Sequence, residues 1–261
     1  MIDRVNAFVA GAQKSGTTAL YTYLRDHPQL IAGDAKEPHY FDDEAVDWQG
    51  TDHVSYHSNF PLGPASQGER LAIDVTPIYS FWPRAMTRIK AYNPRARIIL
   101  IHRDPIERAY SHWNMERSRG DEYLPFSEAI RQGRERLAGL EPADDRWRIF
   151  SYVERGFYAR QLESVLSLFP KTQVLTLTSS LLSKNPAGTL GRISDFLGIG
   201  RFPDTAPRRE HVGRREWPPA TQEDVSLLRT IFEEDTRRFA ALTGLPVNDW
   251  PTLNASILLR V

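Results

Sequence analysis

The apolar positions of this chain change period repeatedly, and each change marks an element. Residues 5–9 form an apolar run, the mark of a strand buried on both faces. Gly11 and Gly16 bracket a tight loop, after which Leu20, Tyr23 and Leu24 take helical spacing until Pro28 stops it. Residues 29–33 and 71–75 read as strands, the second ending in Thr76-Pro77. A helix is predicted from near Pro83 to Asn93-Pro94, and residues 97–102 form the strongest strand of all. Asp104 then fits an N-cap, Pro105 the first helical position and Glu107 the third, so a helix opens at once. Further helices are expected over 127–138 and over 152–168, where Tyr158, Leu162 and Val165 keep helical spacing. A strand follows over 172–178. Leu190, Ile193, Phe196 and Leu197 make an apolar helix face closed by Gly198. The last helix opens on a capping box, Thr221 with Asp224, and ends at Gly244. At least five strands alternating with helices predict a three-layer α/β fold, a central parallel sheet flanked by helices. No linker is visible, so the expectation is one domain over residues 1–261.

Composition narrows the partners. The formal net charge is zero, which argues against a general polyanion binder such as a nucleic-acid protein; any anion site must be local. The chain has no cysteine, which excludes disulfides, thiolate metal sites and cysteine nucleophiles. No apolar run approaches the roughly 18 residues of a membrane span, and the first strand begins too early for a signal peptide. A soluble, cytoplasmic protein without a membrane span is the expectation.

Three stretches carry candidate chemistry. The first is the loop at 11–18. Strand, glycine turn and helix start together aim free N–H groups and the positive helix end at one point, which suits a phosphate. The loop is not a Walker A motif, because Lys14 precedes Gly16 instead of following it. A lysine within a glycine turn covers little apolar surface but can reach a ligand oxygen. The second stretch is Lys36-Glu37-Pro38-His39-Tyr40-Phe41-Asp42, where Glu37 and His39 can each serve as a general base. The third is Arg103 with Ser111 two turns along the next helix. Two strand-end helix starts, each carrying a cation, favour a ligand with two phosphates. Residues 43–70, with Trp48, His53, Tyr56, His57 and Phe60, lack periodicity and either line a substrate cleft or pack a loop onto the core. Residues 113–147 are rich in charge and read mostly as a solvated face. Residues 201–216 hold Arg201, Arg208, Arg209, Arg214 and Arg215 around His211 and Gly213, either an anion flap or a solvated basic loop.

These residues resemble a known family. Gln13-Lys14-Ser15-Gly16-Thr17-Thr18 is similar to the 5′-phosphosulfate loop of sulfotransferases that use PAPS, 3′-phosphoadenosine 5′-phosphosulfate. Arg103-Asp104-Pro105 with Ser111 resembles their 3′-phosphate motif. Residues 36–42 resemble the catalytic-base segment of the heparan-sulfate glucosaminyl sulfotransferases and their bacterial relatives. Order and spacing agree over about residues 5–180. The resemblance implies a fold akin to P-loop kinases and transfer of a sulfuryl group from PAPS to a hydroxyl, less readily an amine. The acceptor would be a carbohydrate or a secondary metabolite, the product 3′,5′-ADP, and no metal would be needed. It also implies that the N–H groups of Ser15 to Thr18, with both threonine hydroxyls, hold the 5′-phosphate beside Gln13, and that Lys14 meets the bridging oxygen. Arg103 and Ser111 would bind the 3′-phosphate, Glu37 would be the base with His39 beside it, and the loop Gly213-Arg214-Arg215 would close on the 3′-phosphate. Val75 stands where the animal enzymes carry a lysine before the Thr-Pro pair, which favours a soluble bacterial type. The rival readings are a P-loop-type nucleotide kinase, which would need Mg²⁺ and a Walker A motif, and a non-catalytic nucleotide-binding module.

Overall fold

The computed structural model describes residues 4–50, 52–60, 70–208 and 217–257. The elements run β1 (Ala7–Gly11), α1 (Thr17–Arg25), β2 (Leu30–Ala32), α2 (Val54–His57), β3 (Leu71–Val75), α3 (Ala85–Tyr92) and β4 (Arg97–His102). They continue with α4 (Pro105–Arg119), α5 (Phe126–Leu137), α6 (Arg146–Phe150), α7 (Tyr158–Leu168), β5 (Val174–Thr178), α8 (Ser179–Lys184), α9 (Pro186–Leu197) and α10 (Gln222–Thr243). The chain groups into two compact units, residues 1–102 with 164–210, and residues 103–163 with 211–261.

The first unit holds the sheet. All strand pairs are parallel and the order is β2-β3-β1-β4-β5. Every residue of β1 is buried, which is why its sequence is apolar without alternation. Alternate side chains feed two different layers. Ala7, Val9, Ile73, Val75, Ile99, Ile101 and Leu177 pack against Leu20 and Leu24 of α1 and against Leu190, Ile193 and Leu197 of α9. On the other face the Phe8 ring meets Phe41 at 5.7 Å and Tyr92 of α3 at 6.5 Å. Fully burying one such side chain contributes about 1.5–3 kcal/mol. Connections leave β1 toward β2 on one side and β4 toward β5 on the other. The sheet therefore changes winding direction between β1 and β4, and the carboxyl ends of those strands are where open α/β sheets place ligands.

The second unit is helical. Ile106, Ala109 and Trp113 of α4, Phe126 and Ile130 of α5, Tyr152, and Val225, Leu228 and Phe232 of α10 share one core. Asp104 caps α4, its Oδ1 accepting from the N–H of Ile106 at 2.9 Å and of Glu107 at 3.1 Å. Its Oδ2 accepts from the N–H of Thr252 at 2.8 Å. The capping box at the start of α10 forms as the sequence predicts, and Asp224 also accepts from Ser127 Oγ at 2.6 Å.

Three expectations change. The first strand lies two residues later than the apolar run, at Ala7–Gly11. The helix expected over 152–168 begins only at Tyr158, after a 3₁₀ turn at Glu154–Gly156. Gly156 sits there because a Cβ would stand 2.5 Å from the Phe232 ring. The short helices α2, α6 and α8 were not foreseen, being too brief to establish a period. Among the described residues, no helix is long and apolar enough to cross a membrane.

Candidate active site

The loop after β1 is shaped by backbone that few residues adopt. Lys14 and Gly16 both lie in the left-handed region, at φ 68° and 88°. Left-handed backbone at a non-glycine residue is uncommon, and it concentrates where surrounding structure holds it for a task. Gly11 is required by close approach: a Cβ there would stand 2.3 Å from Ser80 Oγ. Ser80 N–H donates to the Ala10 carbonyl at 2.8 Å, tying the turn after β3 to the end of β1. Gly16 is the N-cap of α1 and, among the described residues, no side chain caps that helix start. The Ser15 hydroxyl is fully buried and has no hydrogen-bond partner among the described residues. A buried hydroxyl left unpaired is costly and needs an explanation; a ligand oxygen would supply one. One implied donor is already used, since Ser15 N–H turns back to the Ala12 carbonyl at 3.2 Å.

The segment 36–42 carries a connected charge array in the same unit. Glu37 is contacted by Lys36 Nζ, and its Oε2 lies 3.5 Å from His39 Nε2. His39 Nδ1 meets Oδ2 of the buried Asp42 at 2.9 Å. Burial opposes ionisation of Glu37, but His39 and Lys36 outweigh it and hold the carboxyl down at about 2. Asp42, then Glu37, push His39 up to about 9. His39 also adopts left-handed backbone, φ 53°.

Asp74 underlies this segment. It accepts from Thr76 Oγ1 at 2.6 Å, Tyr56 Oη at 2.8 Å and Tyr79 Oη at 3.0 Å. Complete burial pushes its carboxyl up to about 6. Tyr79 Oη in turn accepts a long hydrogen bond from Phe41 N–H, 3.5 Å. The turn after β3 thus braces both the glycine loop, through Ser80, and the base segment, through Tyr79. Sequence reasoning missed Asp74, Tyr79 and Ser80 as support; the Thr76-Pro77 pair after a strand was the available signal. Val75 is buried in the core and supplies no cation. Of the aromatics between 43 and 60, Tyr56 and Phe60 are buried in packing, and Tyr56 also takes Tyr40 of the preceding segment stacked on it at 4.5 Å.

Arg103 and Ser111 belong to the second unit, at the start and second turn of α4. Arg103 Nε donates to Glu107 Oε2 at 2.8 Å, and Ser111 is half-buried. Between them Arg108 is wholly buried; its Nη2 donates to the Tyr152 carbonyl, and desolvation pushes the guanidinium down to about 10. Gly213, Arg214 and Arg215 lie outside the described residues. Arg208 is committed to structure: it pairs with Asp26 at 2.6 Å and Asp204 at 2.9 Å over the Tyr23 ring.

With that geometry in view, the relatives are informative. The family model described as the sulfotransferase domain matches residues 5–208. Human heparan sulfate glucosamine 3-O-sulfotransferase 3B1 is 35% identical over 91% of this chain and 63% of its own length. Human heparan sulfate glucosamine 3-O-sulfotransferase 6 is 33% identical over 91% of this chain and 71% of its own. The crystal structure of a sulfotransferase from Alicyclobacillus acidocaldarius superposes with a TM-score of 0.76 at 26% identity, covering 95% of this chain and 99% of that one. The chain belongs to the sulfotransferase domain family and has its fold. It spans about three fifths of the length of the human 3-O-sulfotransferases 3B1 and 3A1.

Proposed function

We propose that this protein transfers a sulfuryl group from PAPS to a hydroxyl of a carbohydrate or other small-molecule acceptor, releasing 3′,5′-ADP. The observation that carries the proposal is the uncapped start of α1, with the Ser15 hydroxyl buried and unpaired beneath a lysine-bearing glycine turn. In this reading the N–H groups of Gly16, Thr17 and Thr18, with the threonine hydroxyls, hold the 5′-phosphate, and Gln13 flanks it. The resemblance implies that Arg103 and Ser111, which belong to the second unit, bind the 3′-phosphate. The similarity to the two human 3-O-sulfotransferases supports a sugar hydroxyl over an amine.

The chemistry balances on these residues. The acceptor oxygen forms its bond to sulfur as the bond from sulfur to the 5′-phosphate oxygen breaks. The hydroxyl proton passes to Glu37, and the electron pair of the broken bond stays on the phosphate, where Lys14 meets the growing charge. Held at about 2 by His39 and Lys36, Glu37 is a weak proton acceptor in this arrangement. His39, anchored by Asp42, fixes the Glu37 carboxylate. The test is incubation of the protein with PAPS and a panel of sugar and phenolic acceptors in EDTA, following 3′,5′-ADP release. Release that depends on both acceptor and Glu37 supports the reading. Nucleotide binding without transfer across the panel would move it toward a binding module, and a requirement for Mg²⁺ and ATP toward a kinase.

A further inference from the structure

A second feature of the first unit lies away from the glycine loop. A cavity of about 400 Å³ opens at the amino-terminal edge of the sheet, where Arg4, Arg95 and Arg97 line it together with Asn6 and Asn93. Its apolar part is the first residue of β1 and of β3, Ala7 and Leu71. Ala7 pairs with Arg97 across the sheet, so the cavity sits at the opposite end of β1 from the loop. The intervening strand is about 13 Å long at the usual rise per residue.

The wall is built, and its charge is one-sided. Asn93 Nδ2 donates to the Val5 carbonyl at 2.8 Å, and its Oδ1 accepts from Arg95 N–H at 3.1 Å. One side chain therefore fixes the backbone beside Arg4 and at Arg95. Asn6 Oδ1 accepts from Ala72 N–H at 3.1 Å, and Asn6 carbonyl from Arg97 N–H at 3.0 Å, which locks the three strand starts together. Arg97 Nη1 donates to the Leu197 carbonyl. Among the described residues no carboxylate lines the cavity, and none forms an ion pair with Arg4, Arg95 or Arg97. Three arginines line this one cavity, Arg97 with its Nη1 already given to the Leu197 carbonyl, and among the described residues no acid lines it beside them. Arginine presents a planar fork of donors matched to phosphate and sulfate oxygens. The volume falls within the range of small-ligand sites and exceeds what a lone oxyanion fills.

We propose that this cavity is a second anion site, distinct from the glycine loop, that takes a small polyvalent oxyanion: a phosphorylated or sulfated compact molecule. The experiment is calorimetric titration of the full chain with inorganic pyrophosphate, comparing wild type with the double variant Arg4→Ala/Arg95→Ala. Both arginines are exposed, so the melting temperature of the variant is expected to stay within a few degrees of wild type. Wild type is expected to bind one equivalent of pyrophosphate more than the variant, or to bind at that class at least about tenfold more tightly. A parallel titration with inorganic sulfate separates a preference for phosphate from one for sulfate. Equal stoichiometry and affinity in the two proteins, or no pyrophosphate binding by wild type, overturns the proposal.

Discussion

In the proposed transfer Lys14 and Glu37 act at different ends, so they answer to different measurements. Replacing Lys14 with alanine removes the cation at the leaving oxygen, and kcat is expected to fall about 10²–10³-fold, as for loss of one transition-state donor. Affinity for 3′,5′-ADP, measured by calorimetry, should change far less. Glu37→Gln should keep nucleotide binding and lose transfer; full activity in that variant would assign the proton to His39. The charge on His39 sets a pH signature. Its partners raise it from 6.5 to about 9, so its contribution is complete below 6.5 and is lost as pH rises through about 9. Glu37 is depressed from 4.5 to about 2, so its contribution is complete above 4.5 and lost only as pH falls toward 2. With side chains 44% and 28% exposed, solvent screens both, and the effect on stability should be slight. The profile of kcat/KM should instead show a plateau through neutral pH and a decline centred near 9, and that decline should vanish in His39→Asn. Residue types at these positions were legible in the sequence because chemistry limits which side chains can do the work. Their protonation was not, since it depends on the burial of Asp42 and on which side chains of the stretch 36–42 turn toward one another.

At the scale of elements, what the sequence announced best were the signals that act locally. The Asp104-Pro105 start of α4, the Thr221 capping box and the Gly198 and Gly244 ends all appear where backbone chemistry put them. The misplaced start of α7 has the opposite cause: Gly156 is dictated by the Phe232 ring, a neighbour remote in sequence. Likewise the aromatic loop gave no period because Tyr56 and Phe60 are fixed by burial, and Tyr56 by its bond to Asp74 of β3, and not by a regular backbone repeat. The cap on α4 offers a direct test. Asp104→Ala removes acceptors for Ile106, Glu107 and Thr252 at once, and should destabilise by about 1–2 kcal/mol from the cap alone. Because the start of α4 carries Arg103, affinity for 3′,5′-ADP should weaken as well, while Thr221→Ala, a comparable cap loss on α10, should lower the melting temperature and leave nucleotide affinity near wild type.

For the whole molecule, the equal count of acids and bases has a functional reading: attraction for anions must come from placement, not from net charge. Saturation with 3′,5′-ADP at a hundredfold excess over its Kd should stabilise the protein by about 2.7 kcal/mol, seen as a raised melting temperature. 5′-AMP at the same concentration should stabilise it less, and equal shifts would remove the case for a 3′-phosphate contact at Arg103. The chain passes between its two compact units three times: at the junction of β4 with α4, within α7, and between residues 210 and 211. One bond in the second unit reaches far along the chain: Thr252, near the carboxyl terminus, donates to Asp104, 148 residues earlier. A protease nick or a shortened expression clone that removes the stretch beyond Thr243 would therefore slacken the first turn of a helix formed from mid-sequence. Damage to the tail would register as a nucleotide-binding defect, even though no residue of the tail is assigned to the ligand.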